Sequence, residues 1–238
     1  MDNGACKWRK LIEHNGLKPS SEQFAKLTAY ADLLVEWNAK VNLVSRQDMK
    51  CIWQRHIVHS ISILFELRFP RSVEFADIGS GGGLPAVPLS IMMPGHRLTM
   101  FESIRKKCIA LEDITSRLEL SNIVVVNQRV EDAAKSANFK AKFHVVTARA
   151  VASLSDLIRW TRPIVRGSPD IGAVGLNKSG ELFRAPFLVA LKGGDITQEI
   201  EEAKSLSTRI FSHTLNFTGI EETGLVDKKI VIATYDTE

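Results

Sequence analysis

The chain has 238 residues, enough to bury a full α/β core as one domain with an extension. Its 31 basic and 27 acidic residues leave a net charge of +4, which permits a polyanionic partner without demanding one. Three widely separated cysteines (Cys6, Cys51, Cys108) exclude a disulfide framework and a four-thiolate zinc site, and no apolar h-region or membrane-length apolar run occurs, so a soluble, reduced, cytoplasmic setting is expected.

Ser20 and Gln23 stand at capping-box spacing, and Phe24, Leu27, Tyr30, Ala31, Leu34 and Trp37 recur behind them at helical period. Residues 38–47 read as a connector. Asp48 is placed to cap a second helix that runs to about Arg68 and is closed by Pro70. Residues 1–70 are therefore expected to form an N-terminal helical extension, and residues 71–238 the main domain.

From Val73 the pattern changes. An apolar run with one acid near its end (Val73, Phe75, Ala76, Asp77, Ile78) breaks into Gly79, Gly81, Gly82 and Gly83, and a second apolar run, residues 84–93, follows. This predicts a buried strand, a tight turn and a helix opening on the turn. Strands at 97–102, 122–127 and 143–147 then alternate with helices at 105–120, 131–136 and 153–160, and the 122–127 strand, with four β-branched residues in a row, is expected to be buried. Residues 163–183, with Gly167, Gly172, Gly175 and Gly180, lack periodicity and are either a functional loop or an insertion. A strand at 186–191, a Glu-rich helix at 195–206 and two closing strands at 209–217 and 228–234 complete the chain. The expected fold is α/β: a doubly wound, mostly parallel, Rossmann-like sheet with an antiparallel C-terminal strand pair and a ligand across the strands' carboxyl ends.

The glycines follow the pattern Asp-x-Gly-x-Gly-x-Gly. A dinucleotide fingerprint needs glycine where Leu84 stands, and a P-loop needs Gly-Lys-Ser/Thr, which is absent. Glu102, about twenty residues on, is placed to accept ribose hydroxyls. At the end of the third strand, Glu131 or Asp132 could hold an adenine amine or merely cap the next helix. Glycines, ribose acid and adenine-level acid fit an adenosyl ligand. They do not by themselves separate S-adenosylmethionine from NAD, but the alternate-glycine spacing favours the sulfonium, whose ammonium would meet an acid such as Asp77.

The end of the fourth strand carries Thr147-Ala148-Arg149-Ala150 in place of an amine-directing Pro-Pro-Tyr/Phe loop, and Cys108 fits core packing better than a nucleophilic role. An acceptor whose own lone pair attacks, such as a purine ring nitrogen, is then expected, with catalysis by alignment and desolvation and no general base. Arg149 can pair with a carboxylate, a phosphate or a guanine edge, and Arg129 and Lys192 are candidates for substrate phosphates. Cys51, His56 and His59 lack the i,i+4 spacing and nearby carboxylate of a helical zinc site, so the histidines read as packing residues and no metal is expected.

Trp37-Asn38 with Asn42-Leu43, Arg55-His56-Ile57 with Ser60, the stretch from Asp77 to Pro85, Gln128-Arg129-Val130-Glu131, Arg149-Ala150-x-Ala152-Ser153-Leu154 and Ala190-Leu191-Lys192-Gly193 together resemble the glucose-inhibited division protein B family of bacterial small-subunit ribosomal RNA methyltransferases, over residues 20–234. The resemblance implies methyl transfer from S-adenosylmethionine to N7 of one guanine in 16S rRNA; the expected partner is that RNA or the small subunit, and a monomer is expected. It also implies cofactor contacts at Gly79, Leu84, Val130, Glu131 and Arg149. His59 stands where the family commonly has Asp, Glu102 stands where it often has Asp, and residues 163–183 are longer than in compact members. A non-catalytic RNA-binding or ribosome-assembly factor that retains the fold is the alternative.

Overall fold

The computed structural model describes residues 3–167, 174–176, 182–206 and 209–235. Elements are numbered in chain order. The main sheet is built from β2 (Glu74–Ile78), β3 (Arg97–Phe101), β4 (Ile123–Val126), β5 (Val145–Arg149), β8 (Phe187–Gly193), β9 (Ile210–Thr214) and β10 (Lys228–Thr234), in the order β4-β3-β2-β5-β8-β10-β9. The first five are mutually parallel, and β10 runs antiparallel to both β8 and β9. The expected doubly wound sheet with an antiparallel closing pair is the observed one.

Alternate residues of each central strand enter two different apolar clusters, which is why these strands read as unbroken apolar runs. Phe75, Val145, Val189 and Ile232 face one side and pack with Leu34 of α2 (Ser21–Asn38), Ile61 of α3 (His59–Glu66), Leu89 of α4 (Ala86–Met92) and Leu111 of α5 (Arg105–Arg117). Ala76, Val146, Leu188 and Val231 face the other side. They pack with Ala133 of α6 (Val130–Ala133), Leu157 of α7 (Leu154–Thr161) and Ala203 of α8 (Thr197–Lys204). The N-terminal helices, including Trp8 and Leu11 of α1 (Asn3–His14), share the first cluster with the sheet.

The capping box forms as expected: Gln23 N–H donates to Ser20 Oγ at 3.1 Å, and Ser20 N–H donates to the Gln23 side chain at 2.9 Å. The second helix does not. Ser45, not Asp48, caps a 3-10 turn at Arg46–Cys51, a π-helical turn follows at Trp53–Val58, and α3 ends at Glu66 before the short strand β1 (Leu67–Arg68). Asp48 is drawn instead into a 2.5 Å ion pair with Arg55. The 122–127 strand is also less buried than expected. β4 lies at the sheet's edge, and Val124 is 58% exposed. Within the glycine-rich 163–183 segment, β6 (Val174–Leu176) pairs with β1 and with β7 (Leu182–Phe183) in a small second sheet, while 168–173 and 177–181 lie outside the described residues.

Candidate cofactor and substrate site

Parallel registers set Ile78 beside Phe101 and Ala148, and Phe101 beside Val126. The glycine turn, Glu102, the residues after β4 and Arg149 therefore line one edge of the sheet, at the carboxyl ends where ligands bind in such folds. Gly79, Gly81 and Gly83 all have positive φ (63°, 57° and 89°), which explains the alternate spacing. The turn's amides are largely engaged within the protein. Gly79 and Ser80 N–H donate to Phe101 O, and Gly83 and Leu84 N–H donate to Ser80 O. Gly81 N–H donates to Glu102 Oε2 at 3.0 Å.

Glu102 is 5% exposed, and its other oxygen accepts from Ile104 N–H at 2.8 Å. Asn127 Nδ2–H donates to Glu102 O at 3.0 Å and so ties the end of β4 to the end of β3. Val130 and Leu84 are buried in the apolar clusters, so only their backbones are available to a ligand. Glu131 is half-buried, and Arg129 is exposed at the start of α6. Neighbouring Asp132 is paired with Lys135 at 2.7 Å.

Asp77 is 1% exposed. Its Oδ1 accepts from Thr147 Oγ1–H at 2.6 Å, and its Oδ2 is buried with no partner. Burial pushes this carboxyl up to about 6, an effect partly offset first by the nearby Ser80 hydroxyl, whose Oγ–H donates to the Asp77 main-chain oxygen at 3.2 Å, then by the Thr147 hydroxyl and the Arg149 guanidinium. A buried carboxylate oxygen without a donor is costly unless a ligand supplies one. Beside it, a Cβ built on Gly81 would meet only Gly79 O and Leu43 O, each at 3.8 Å, so the turn is open at this residue. An ammonium-bearing adenosyl ligand such as S-adenosylmethionine fits this donor set chemically: Asp77 would meet an ammonium, Glu102 ribose hydroxyls, and Glu131 an adenine amine.

Arg149 ends β5 and is followed by Ala150 at φ 55°, a strained conformation of the kind that re-aims chains at functional sites. Its Nη2 donates to His56 Nδ1 at 2.8 Å, with a longer contact from Nη1 to Arg55 O at 3.4 Å. Burial lowers the guanidinium's pKa, and the carboxylates of Asp77 and Asp48 act in the opposite direction. Arg149, His56, His59, Lys192 and Lys228 line a cleft of about 540 Å³ between the N-terminal layer and the ends of β8 and β10. Lys192, expected to meet substrate, donates to Ala152 O at 2.7 Å and pairs with Glu199, which ties β8 to the loop before α7 and to α8. Among the described residues, no cluster of histidine, cysteine and acidic side chains is arranged to hold a metal.

Two residues escaped the sequence reading. Tyr30 of α2 is fully buried and donates to Gly82 O at 2.7 Å, clamping the glycine turn from the helical layer. His56, read as a packing histidine, is buried as expected but is also the partner of Arg149. Tyr30 sits on the expected apolar face of its helix, so only its hydroxyl hinted at a polar target; for His56 no spacing signal existed.

Residues 23–223 match the GidB family, described as rRNA small subunit methyltransferase G. The chain belongs to that family. The ribosomal RNA small subunit methyltransferase G of Clostridium botulinum (strain Alaska E43) is 30% identical over 225 residues, covering 94% of this chain and 87% of that protein. Its counterpart in Staphylococcus aureus (strain Newman) is 34% identical over 190 residues, 79% of each chain. Among solved structures, Aeropyrum pernix fibrillarin in complex with natively bound S-adenosyl-L-methionine superposes with a TM-score of 0.51 over 76% of this chain and 75% of that one. At 13% identity that likeness shows the fold alone.

Proposed function

We propose that this GidB-family chain transfers a methyl group from S-adenosylmethionine to N7 of a guanine in 16S ribosomal RNA, acting as a monomer in the cytoplasm. The observation that carries the reading is the pairing of the unsatisfied Asp77 oxygen with the open Gly81 turn at the carboxyl end of β2, in a chain whose family is described as a small-subunit rRNA methyltransferase. Bound there, the cofactor would supply an electrophilic methyl on a sulfonium that leaves as a neutral thioether. Asp77 would hold the ammonium, and Arg149, half-buried at the neighbouring strand end, would balance a carboxylate. Glu102 keeps spare lone pairs for the ribose hydroxyls while holding Gly81 N–H. Guanine N7 has a free lone pair, so the protein need not remove a proton before transfer; it must align acceptor and methyl and exclude water.

No helix among the described residues is long and apolar enough to cross a membrane. The test is transfer of labelled methyl to small subunits lacking the modification, with the labelled nucleotide mapped. Label at one guanine N7 supports the reading. If S-adenosylhomocysteine does not bind by calorimetry and no RNA is labelled, the non-catalytic assembly-factor reading replaces it.

A further inference from the structure

We propose that His56 is the positioning residue for Arg149, so that the N-terminal layer holds part of the reactive site in register; this rests on the assignment of Arg149 to the cofactor and acceptor end of the site. Arg149 is half-buried at the wall of the cleft, and among the described residues its polar contacts are the His56 ring and the Arg55 carbonyl, with no carboxylate at ion-pair distance. A guanidinium in that setting must be held by neutral acceptors or it leaves the site for solvent.

Guanidinium nitrogens only donate, so His56 Nδ1 must present its lone pair and the ring proton must sit on Nε2. That tautomer suits the surroundings. His56 Nε2 has no hydrogen-bond partner and lies 3.8 Å from Asp48 Oδ2, the nearer carboxylate, whose Oδ1 is taken by Arg55. The ring is 7% exposed, and burial first, then Arg149, push its pKa down to about 4, so it stays a neutral acceptor across the physiological range. Groups facing it from all sides are Asp48 and Arg55 of the helical layer, Arg149 of β5, and His59.

The geometry of the layer serves this contact. The chain from Trp53 to Val58 is a π-helical turn, an irregularity that recurs at functional sites, and it carries His56 across 93 positions of sequence to the end of β5. On the other side Ala150, with positive φ, turns the chain so that Val151 packs at the glycine turn, where a Cβ on Gly79 would meet Val151 Cγ2 at 2.8 Å. Arg149 is thus fixed by its own strand at one end and by His56 at the other, between the cleft and Asp77. A histidine that merely filled space would not need its Nδ1 aimed at the guanidinium.

The test is a double-mutant cycle of His56→Leu and Arg149→Ala. Its readouts are the dissociation constant of S-adenosylhomocysteine by calorimetry and kcat/KM for methyl transfer to unmodified small subunits. His56→Leu should raise the dissociation constant, lower kcat/KM, or both, by about tenfold or more in the parent, and by far less in the Arg149→Ala background, because the interaction it removes is already gone. His56→Asn, whose side-chain oxygen can stand where Nδ1 stood, should recover most of the loss. His56→Gln, equally polar but longer, should not, and this pair keeps the test decisive if His56→Leu folds poorly. Additive effects in both readouts, or equal recovery by Asn and Gln, would overturn the proposal. If the parent binds no S-adenosylhomocysteine and labels no RNA, it is the assigned function that fails, since the cycle then has no signal to couple.

Discussion

Two of the turn's glycines have the same backbone requirement but different surroundings, and alanine at each should separate stability from binding. At Gly83 (φ 89°) a Cβ would stand 2.6 Å from Val87 Cγ2, 3.1 Å from Leu111 Cδ2 and 3.4 Å from the Tyr30 hydroxyl. Val87 lies in α4, where a β-branched side chain has essentially one rotamer, so it cannot swing away. Left-handed backbone costs a non-glycine residue about 1–2 kcal/mol. Overpacking of this kind adds about 1–3 kcal/mol. Gly83→Ala should therefore lose roughly 2–5 kcal/mol, a large part of a typical domain's stability of about 5–15 kcal/mol. At Gly81 (φ 57°) the nearest atoms are two carbonyl oxygens at 3.8 Å, so only the backbone cost of about 1–2 kcal/mol applies. The added methyl would instead enter the space proposed for the cofactor. Urea unfolding followed by tryptophan fluorescence, with calorimetric titration of S-adenosylhomocysteine, reads both effects. Gly83→Ala should shift the unfolding midpoint far more than Gly81→Ala, and Gly81→Ala should lose more than tenfold in affinity while staying folded. Equal midpoints, or parent-like affinity in Gly81→Ala, would refute this account of the turn.

Asp77 offers a pH test. Its folded value is raised from 3.8 to about 6, so between those values the folded protein keeps a proton the unfolded chain has released, and this group's contribution to stability falls by roughly 3 kcal/mol as pH rises through the window. His56, depressed from 6.5 to about 4, slopes the other way, so the quantity to measure is the difference between Asp77→Asn and the parent from pH 4 to 7. Asp77→Asn should be the more stable protein at pH 7, by roughly 1–3 kcal/mol, and bind the cofactor less well; an unchanged pH dependence would show that Asp77 is not a buried charge. Tyr30→Phe removes the hydroxyl bond to Gly82 O and should cost about 1–2 kcal/mol in urea unfolding, with a measurable loss of S-adenosylhomocysteine affinity because the turn loses its outer clamp. Lys192→Met breaks the pair with Glu199 and the bond to Ala152 O. It should destabilise the ends of α7 and α8, seen as faster amide exchange there, whereas an effect confined to the KM for small subunits would show that the ammonium serves RNA instead.

The sheet and its turn were legible because their determinants are local. Strands buried on both faces leave apolar runs, and a turn with three positive φ angles leaves alternate glycines. What was not legible depends on neighbours distant in sequence. The run at 122–127 has the composition of a central strand, yet strand order puts it at the edge, and nothing in a single strand's sequence records which side lacks a partner. Asp48 has the right type and place for a helix cap, but Ser45 reaches a free amide first and Arg55 claims the carboxylate. Tyr30 and His56 meet their partners across 52 and 93 positions. These last two contacts also change what the helical prelude is for. Had it only covered the sheet, apolar residues would have sufficed at both places. A phenol bonded to the glycine turn and an imidazole bonded to the β5 arginine instead couple the layer to both halves of the site, one through the backbone of the turn and the other through a half-buried charge. Substitutions in α2 or in the π-helical turn should therefore register in catalysis in proportion to their effect on those two bonds, and only weakly through loss of packing.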